Sequence, residues 1–381
     1  MNKQNRIAPV STTVAVSLGN RSYGIEVGRG LLARAAELVA PVLQQKRVFI
    51  VTDSNVAPLY LGALEGHLAS AGIRCDHLIL PAGEASKDFT HLTQVLDAML
   101  AAKCERSTMV VALGGGVVGD MAGFAASVLL RGVDFIQMPT TLLAQVDSAV
   151  GGKTGINTKA GKNLVGAFHQ PRLVLADTDT LETLPRRELL AGYAEVAKYG
   201  LLGDAAFWSW LESNGATALS GTAAGHDGLR HCIVTACEAK ARIVAADERE
   251  QGERILLNLG HTFGHAFEAG CGYSQRLLHG EAVALGCVMA FQFSERQGLL
   301  GGNSVARVRS HLADAGLPTK ASDVEGGVPD VDRLMDLVAQ DKKVKRGKLA
   351  FILARGIGEA FVAGDVDPAE VRAFLQEKIA E

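Results

Sequence analysis

Residues 109–120 read MVVALGGGVVGD, a strongly apolar run from Met109 to Leu113 that passes straight into Gly114-Gly115-Gly116-Val117-Val118-Gly119-Asp120. The apolar run predicts a strand, and Met121 to Val128 after the glycines is compatible with a helix. Strand, glycine turn and helix in that order match the G-x-G-x-x-G pattern. Glycines let a backbone approach a pyrophosphate, and a helix start offers unpaired N–H groups and the positive end of a dipole. Gly115, Gly116, Val117, Val118, Gly119 and Asp120 are therefore the first nucleotide-binding candidates. Such turns are common, so the pattern alone decides little. It also departs from the usual dinucleotide fold, because it follows a late strand and no acidic residue ends the next one. Ribose contacts are then expected from earlier in the chain, at Asp53 and the turn Gly83-Glu84-x-x-Lys87. A plain turn or helix cap explains each of these equally well.

Outward from this stretch, Arg47–Val51 (RVFIV) reads as a strand meeting a polar turn, Thr52 to Asn55. A helix follows through Leu64 to Ser70, then a strand at His77 to Leu80 and a helix from Phe89 to Ala102. Further strands are predicted at Phe135 to Met138 and Leu173 to Ala176. This alternation predicts βαβ units and a mainly parallel, Rossmann-like sheet. After Pro185 the apolar positions recur every three or four residues, predicting helices over Arg187–Leu201, Ala205–Glu212 and Leu229–Asp247, with one strand-like piece at Leu349–Leu353. At 381 residues two domains are expected: an α/β domain, 1–182, and a mostly α-helical domain, 183–381. A crevice between two domains is the usual place for a ligand.

The formal net charge of −3 excludes the broad basic surface of a general nucleic-acid binder. Handling of anions must then rest on local clusters. Cys75, Cys104, Cys232, Cys237, Cys271 and Cys287 form no C-x-x-C pair, which points to reduced thiols and a cytoplasmic protein. The first residues show no signal pattern, and no apolar stretch is long enough to span a bilayer. A soluble enzyme without membrane or nucleic-acid partners is expected.

A second constellation lies in the helical half. Leu259-Gly260-His261-Thr262-Phe263-Gly264-His265 places two histidines four apart, on one face of a helix. His279 follows in His279-Gly280-Glu281. Upstream, Glu195 and Lys198 stand three apart inside the apolar segment YAEVAK, where a carboxylate is costly to bury unless paired or metal-bound. Each residue alone has a plain structural explanation, and Glu195–Lys198 reads equally as an ion pair. Together they suggest a Glu/His/His site with an open position, as in catalytic zinc. Cys271 is a rival ligand. A third set is basic: Lys153 in Gly151-Gly152-Lys153-Thr154-Gly155, and Lys162-Asn163 after Gly161, with Arg131, Lys240, Arg254 and Lys342 adding charge. Glycines beside a lysine let a small anion reach both backbone and ammonium. The Gly-Gly-Lys-Thr run lacks the leading glycine of a P-loop, which argues against ATP.

The segments GEASK, GGGVVGD, RGVDFIQMPTTLLAQVDSAVGGKTGIN, GKNLVGAFHQP, AGYAEVAKYG, KARIVAADERE and LNLGHTFGHAFE carry a resemblance. From about Val14 to its C-terminus the chain resembles the 3-dehydroquinate synthases. One departure is mild, because an aromatic residue often precedes the lysine of the GEASK turn. The resemblance implies metal ligation by Glu195, His261 and His279, usually of zinc and sometimes of cobalt. It implies NAD held by Asp53, Glu84, Lys87, the turn Gly115 to Asp120, Thr140, Thr141, Asp147 and Thr180-Leu181-Glu182-Thr183, with Lys153 and Lys162 between cofactor and substrate. Asp147, Lys198, Lys240, Arg254, Asn258 and His265 correspond to substrate-site positions. Arg131 matches an arginine that reaches the substrate phosphate from a neighbouring subunit, which implies a homodimer. Lys342 is a further phosphate candidate.

The activity so implied turns 3-deoxy-D-arabino-heptulosonate 7-phosphate into 3-dehydroquinate and phosphate. It proceeds by transient oxidation, β-elimination, reduction and intramolecular aldol closure, with no net redox change. Expected roles are proton transfer for His265, phosphate binding for Lys153, Asn163 and Arg131, and carboxylate binding for Lys240 and Arg254. Lys198 tunes the reacting oxygen or orients Glu195, and Asn258 completes the set. The rival activities are a metal-dependent polyol dehydrogenase, a sister cyclase acting on other sugar phosphates, and a catalytically silent nucleotide binder.

Overall fold

The computed structural model describes residues 11–340 and 349–381, so Lys342 lies outside the described residues. The chain clusters as two units. One runs to Leu184 and includes Ile233–Glu248; the other comprises Pro185–Cys232 and Arg249–Glu381.

The first unit contains β1 (Thr12–Val16), β2 (Tyr23–Gly28), α1 (Ala35–Val39), β3 (Arg47–Asp53), α2 (Gly62–Ser70), β4 (Arg74–Leu80), α3 (Phe89–Ala101), β5 (Met109–Gly114), α4 (Gly116–Val128), β6 (Phe135–Pro139), β7 (Lys153–Thr158), β8 (Gly161–Phe168) and β9 (Leu173–Asp177). Seven strands form a sheet in the order β1-β2-β9-β6-β5-β3-β4. The pairs from β2 to β4 are parallel, and β1 runs antiparallel at one edge. The predicted Rossmann-like sheet is present. Its strands lack polar alternation because helices cover both faces. Phe49, Val51, Val110 and Ala112 pack with Leu92 and Val95 of α3 and Met121 of α4. Val48, Ile50, Met109 and Val111 point the other way, towards α1 and α2.

β4 and β5 lie on opposite sides of β3, so the winding reverses where β3 ends at Asp53 and β5 at Gly114. Such a switch point is where open α/β sheets bind ligands. Two features depart from the sequence reading. Thr12–Val16, which the sequence reading left unassigned, is a strand with Val14 and Val16 turned inward. Lys153–Phe168, to which the sequence reading gave no element, is the antiparallel hairpin β7–β8, in which Gly155 and Gly166 pair directly. A Cβ on Gly166 would fall 2.0 Å from the Thr154 carbonyl oxygen.

The second unit is helical. It contains α5 (Arg186–Gly203), α6 (Ala205–Ala218), the start of α7 (Ala223–Ala246), α8 (His261–Gly270), α9 (His279–Arg296), α10 (Ser304–Asp314), α11 (Val331–Gln340) and α12 (Pro368–Ala380). The expected strand at its C-terminal end is β10 (Leu349–Ala354), which pairs with an unforeseen β11 (Ala360–Val366). The core of this unit gathers Phe263, Phe267, Phe293, Phe351 and Phe374. Among the described residues no helix is long and apolar enough to cross a membrane.

Candidate functional site

Three helices of the second unit approach one another through glycine. Gly260, in the left-handed conformation at φ +79°, precedes α8, and a Cβ there would meet the Cys287 backbone nitrogen at 2.7 Å. A Cβ on Gly264 would lie 2.7 Å from the Ala282 carbonyl oxygen, and one on Gly280 only 1.9 Å from that of Ala191 in α5. Backbones therefore touch where α5, α8 and α9 meet, and the side chains beside those contacts converge.

Glu195 of α5 is fully buried, His261 opens α8 and His279 opens α9. Their ligand atoms lie within 4.8 Å of one another. His261 Nε2 is 3.5 Å and His279 Nε2 3.4 Å from the same oxygen, Glu195 Oε1. Ligands at about 2.0–2.1 Å from a tetrahedral ion stand roughly 3.4 Å apart, so the spacing suits zinc. The protonation pattern agrees. His261 Nδ1 is 3.1 Å from the Leu259 carbonyl oxygen and must donate to it, which leaves a lone pair on Nε2 facing a carboxylate. Two acceptors pointed at each other fit a shared cation. The donor set therefore fits the metal expected from the sequence.

Surrounding groups complete the arrangement. Lys198, one turn along α5 and 1% exposed, places Nζ 2.5 Å from Glu195 Oε2. His279 Nδ1 lies 3.1 Å from Glu268 Oε2, a buried carboxylate that sequence reasoning overlooked. Burial opposes a charge on His279, but Glu268 and Glu195 outweigh it and lift the ring to about 10. The ring of His265 is 5.0 Å from that of His261 and 5.8 Å from that of His279, so the expected one-face histidine pair is formed. Cys271 belongs to neither group of candidate ligands, which removes it as a rival. Arg187 clamps the head of α9, bonding Glu281 at 2.6 and 2.7 Å and the Gln275 carbonyl at 2.7 Å. Arg254 is 1% exposed in the short segment Glu253–Asn258. Asn258 ties that segment together, donating to Glu250 Oε1 at 2.9 Å and to the Ile255 carbonyl.

In the first unit the glycine turn has a clear steric basis. Gly115 caps α4, which starts at Gly116, earlier than the sequence suggested. A Cβ on Gly114 would meet Val118 at 2.6 Å, and one on Gly119 would meet Gln137 Oε1 of β6 at 2.6 Å. The first of these permits the turn and the second permits close helix–strand packing. Val117 and Val118 follow in the first turn of α4. Thr140 and Thr141 lie just beyond β6, where the Thr140 amide donates to the Gly114 carbonyl at 3.0 Å and Thr141 Oγ1 accepts from Ala144 N.

Asp53 Oδ1 accepts from the amides of Asn55 and Val56, so this residue also caps its own turn. Glu84, Lys87, Asp120, Lys162 and Asn163 come together as one polar network. Buried Lys87 donates at 2.5 Å to both Asp120 Oδ2 and Asn163 Oδ1. Burial pushes the Asp120 carboxyl up, and Lys87 pulls it back. Lys162 Nζ lies 3.6 Å from Glu84 Oε1, which also accepts from Asn157 at 2.7 Å.

Other candidates sit differently. Lys240, largely buried, bonds the Asp147 carbonyl at 2.6 Å and its Oδ1 at 2.7 Å, so it already meets one counter-charge. Lys153 is exposed at the head of β7. Arg131 is exposed within three consecutive residues of positive φ, Leu130, Arg131 and Gly132, a strained display of a cation. In the Thr180–Thr183 segment, Thr180 and Leu181 are buried and Glu182 pairs with Arg29 at 2.6 Å. Thr183 Oγ1 bonds Tyr60 at 2.5 Å.

Comparison with known proteins bears on this geometry. The family model for the 3-dehydroquinate synthase N-terminal domain matches residues 77–191, and that for the C-terminal domain matches 192–344. The chain is 59% identical over 372 residues to the 3-dehydroquinate synthase of Rhodospirillum rubrum, covering 97% of this chain and 96% of that one. The 2-epi-5-epi-valiolone synthase of Streptomyces hygroscopicus subsp. jinggangensis, solved with NAD+ and Zn2+ bound, is similar with a TM-score of 0.85 and 31% identity over 96% of this chain and 98% of that one. A 2-deoxy-scyllo-inosose synthase complexed with carbaglucose-6-phosphate, NAD+ and Co2+ is similar with a TM-score of 0.85 and 26% identity over 96% and 100%.

Proposed function

The chain belongs to the 3-dehydroquinate synthase family, and on that premise we propose that it converts 3-deoxy-D-arabino-heptulosonate 7-phosphate into 3-dehydroquinate and phosphate, as an NAD- and divalent-metal-dependent phosphorus–oxygen lyase. The observation that carries the reading is the convergence of Glu195, His261 and His279 from three helices, with Lys198 and His265 at hand. Residues 1–182 are assigned to NAD and to the substrate phosphate, and residues 183–381 to the metal and the rest of the substrate. Zinc is the expected ion, with cobalt able to replace it.

When bound, the cation would supply a Lewis acid for an alcohol oxygen, and NAD a reversible hydride acceptor. The chain's own groups do the rest. Glu195 is held by Lys198 and His279 by Glu268, which fixes both ligands in orientation. His265 is the proton carrier at the substrate hydroxyl, since a neutral imidazole exchanges protons near pH 7. Lys153 and Asn163 hold the phosphate, helped by Arg131 of a second copy in a homodimer. Lys240 and Arg254 answer the carboxylate, and their burial supports anion binding over surface solvation. The six unbridged thiols support a cytoplasmic setting.

The test supplies the heptulosonate phosphate with zinc and catalytic NAD+. Phosphate and a carbocyclic product should appear together without NADH accumulating. One NADH per substrate would instead make the protein a dehydrogenase. Turnover of sugar phosphates that lack a carboxylate, with none of the acid, would make it a sister cyclase.

A further inference from the structure

One residue of the first unit stands at the centre of the polar network without an assigned role. Asn157, the last residue but one of β7, makes three hydrogen bonds in two directions. Its backbone amide donates to the Lys87 carbonyl at 2.7 Å, and its Nδ2 donates to Glu84 Oε1 at 2.7 Å. Its Oδ1 accepts from the backbone amide of Asn163 at 3.0 Å. The first two bonds grip the Glu84–Lys87 turn. The third holds the backbone of β8 at Asn163, which adopts φ +53°, a left-handed conformation that asparagine takes more readily than other side-chain residues. Lys87 closes the ring by donating to Asn163 Oδ1.

We propose that Asn157 is a positioning residue that couples the cofactor turn to the anion-binding hairpin, so that NAD+ and a phosphate group strengthen each other's binding. This rests on the reading of Glu84 and Lys87 as cofactor contacts and Asn163 as a phosphate contact. The physical basis is direct. A ligand that orders the Glu84–Lys87 turn also fixes Asn157, and through Oδ1 the backbone amide of Asn163. The second ligand then finds its amide already placed and spends less on ordering it. By linkage the effect runs equally in the other direction.

The experiment titrates zinc-loaded enzyme with NAD+ in the absence and presence of saturating inorganic phosphate, and with phosphate in the absence and presence of NAD+. In the wild type each ligand should tighten the other by about 5-fold or more. Asn157→Ala should weaken NAD+ on the order of 10-fold, the scale of a lost bond to a charged group, and bring the coupling near one. Asn157→Asp separates the two arms, because it keeps an acceptor for Asn163 but sets a carboxylate against Glu84. It should lose NAD+ affinity while holding phosphate near the wild-type level. If Asn157→Ala fails to fold, Asn157→Asp decides alone. Wild-type coupling retained in these variants, or no coupling in the wild type, overturns the proposal. Glu84→Ala is the control. Unchanged NAD+ affinity in that variant would refute the cofactor assignment itself, whereas weakened affinity there with an unaffected Asn157→Ala would refute only the coupling.

Discussion

Replacing Gly280 by alanine tests whether the metal centre depends on backbone contact between helices. A Cβ at this position would sit 1.9 Å from the Ala191 carbonyl oxygen and 2.4 Å from its carbon. These are main-chain atoms of α5 and cannot rotate aside, so the head of α9 must retreat on the order of 1 Å. His279 is the adjacent residue, and metal–ligand distances are held to about ±0.2 Å. The displacement is several times that tolerance. Zinc affinity should fall on the order of 100-fold, the upper range for misplaced ligand support, with about 1–3 kcal/mol lost from overpacking. Gly66→Ala in α2 is the matched control, because nothing lies within 4 Å of its Cβ and alanine favours a helix. Zinc per chain is measured after dialysis against a competing chelator, together with the unfolding midpoint of each variant. Wild-type zinc retention by Gly280→Ala would refute the reasoning, because the ligands would then be held by something other than this packing.

Other substitutions separate roles around the same centre. His265→Ala should lower turnover by about 10²–10⁴-fold while leaving bound zinc unchanged; zinc lost in step with activity would make His265 a ligand. Glu268→Ala should weaken zinc by about 10–100-fold through a misoriented His279, and Glu195→Ala should abolish zinc binding, both read by chelator competition. Burial holds His311 below its ordinary pKa, next to the Tyr193 hydroxyl at 2.9 Å. The unfolded chain therefore binds the extra proton first, and stability falls as pH drops below about 6.5. His311→Asn should flatten that slope in urea unfolding measured on either side of this pH, and an unchanged slope would place the titration elsewhere.

The sheet was legible because parallel strands covered on both faces are written as continuous apolar runs, and MVVAL and RVFIV need no partner to be recognised. The glycine turn was legible for the same local reason. The β7–β8 hairpin was not, because its runs are rich in glycine and lysine, and Gly155 and Gly166 serve a contact between strands rather than a ligand. Thr12–Val16 was missed although Val14 and Val16 alternate inward, because five residues carry little periodic signal. At the metal centre the ligands stood out as histidines four apart and a carboxylate in an apolar helix. Glu268, Arg187 and Asn157 did not stand out, since each acts only through a partner distant in sequence: Glu268 through His279, Arg187 through Glu281, and Asn157 through Glu84. Residues that carry chemistry announce themselves by type, whereas those that orient them require the fold.

His279 could in principle belong to either of two groups of three, with Glu195 and His261 or with His265 and Glu268. Its nitrogens face different carboxylates, Nε2 towards Glu195 at 3.4 Å and Nδ1 towards Glu268 at 3.1 Å, and a ring that binds a cation keeps one N–H and gives its other nitrogen to the ion. One carboxylate can accept a hydrogen bond; the other must share a cation with the ring. His279 alone does not decide which. His261 does, because its Nδ1 proton is committed to the Leu259 carbonyl and its lone pair therefore points at Glu195 Oε1. The His261 lone pair therefore faces a carboxylate oxygen, and a single ion turns that repulsion into bonds while taking the place of the proton that His279 Nε2 directs at the same oxygen. The cation therefore belongs with Glu195, and Glu268 is left to accept the His279 proton and hold its ring in place.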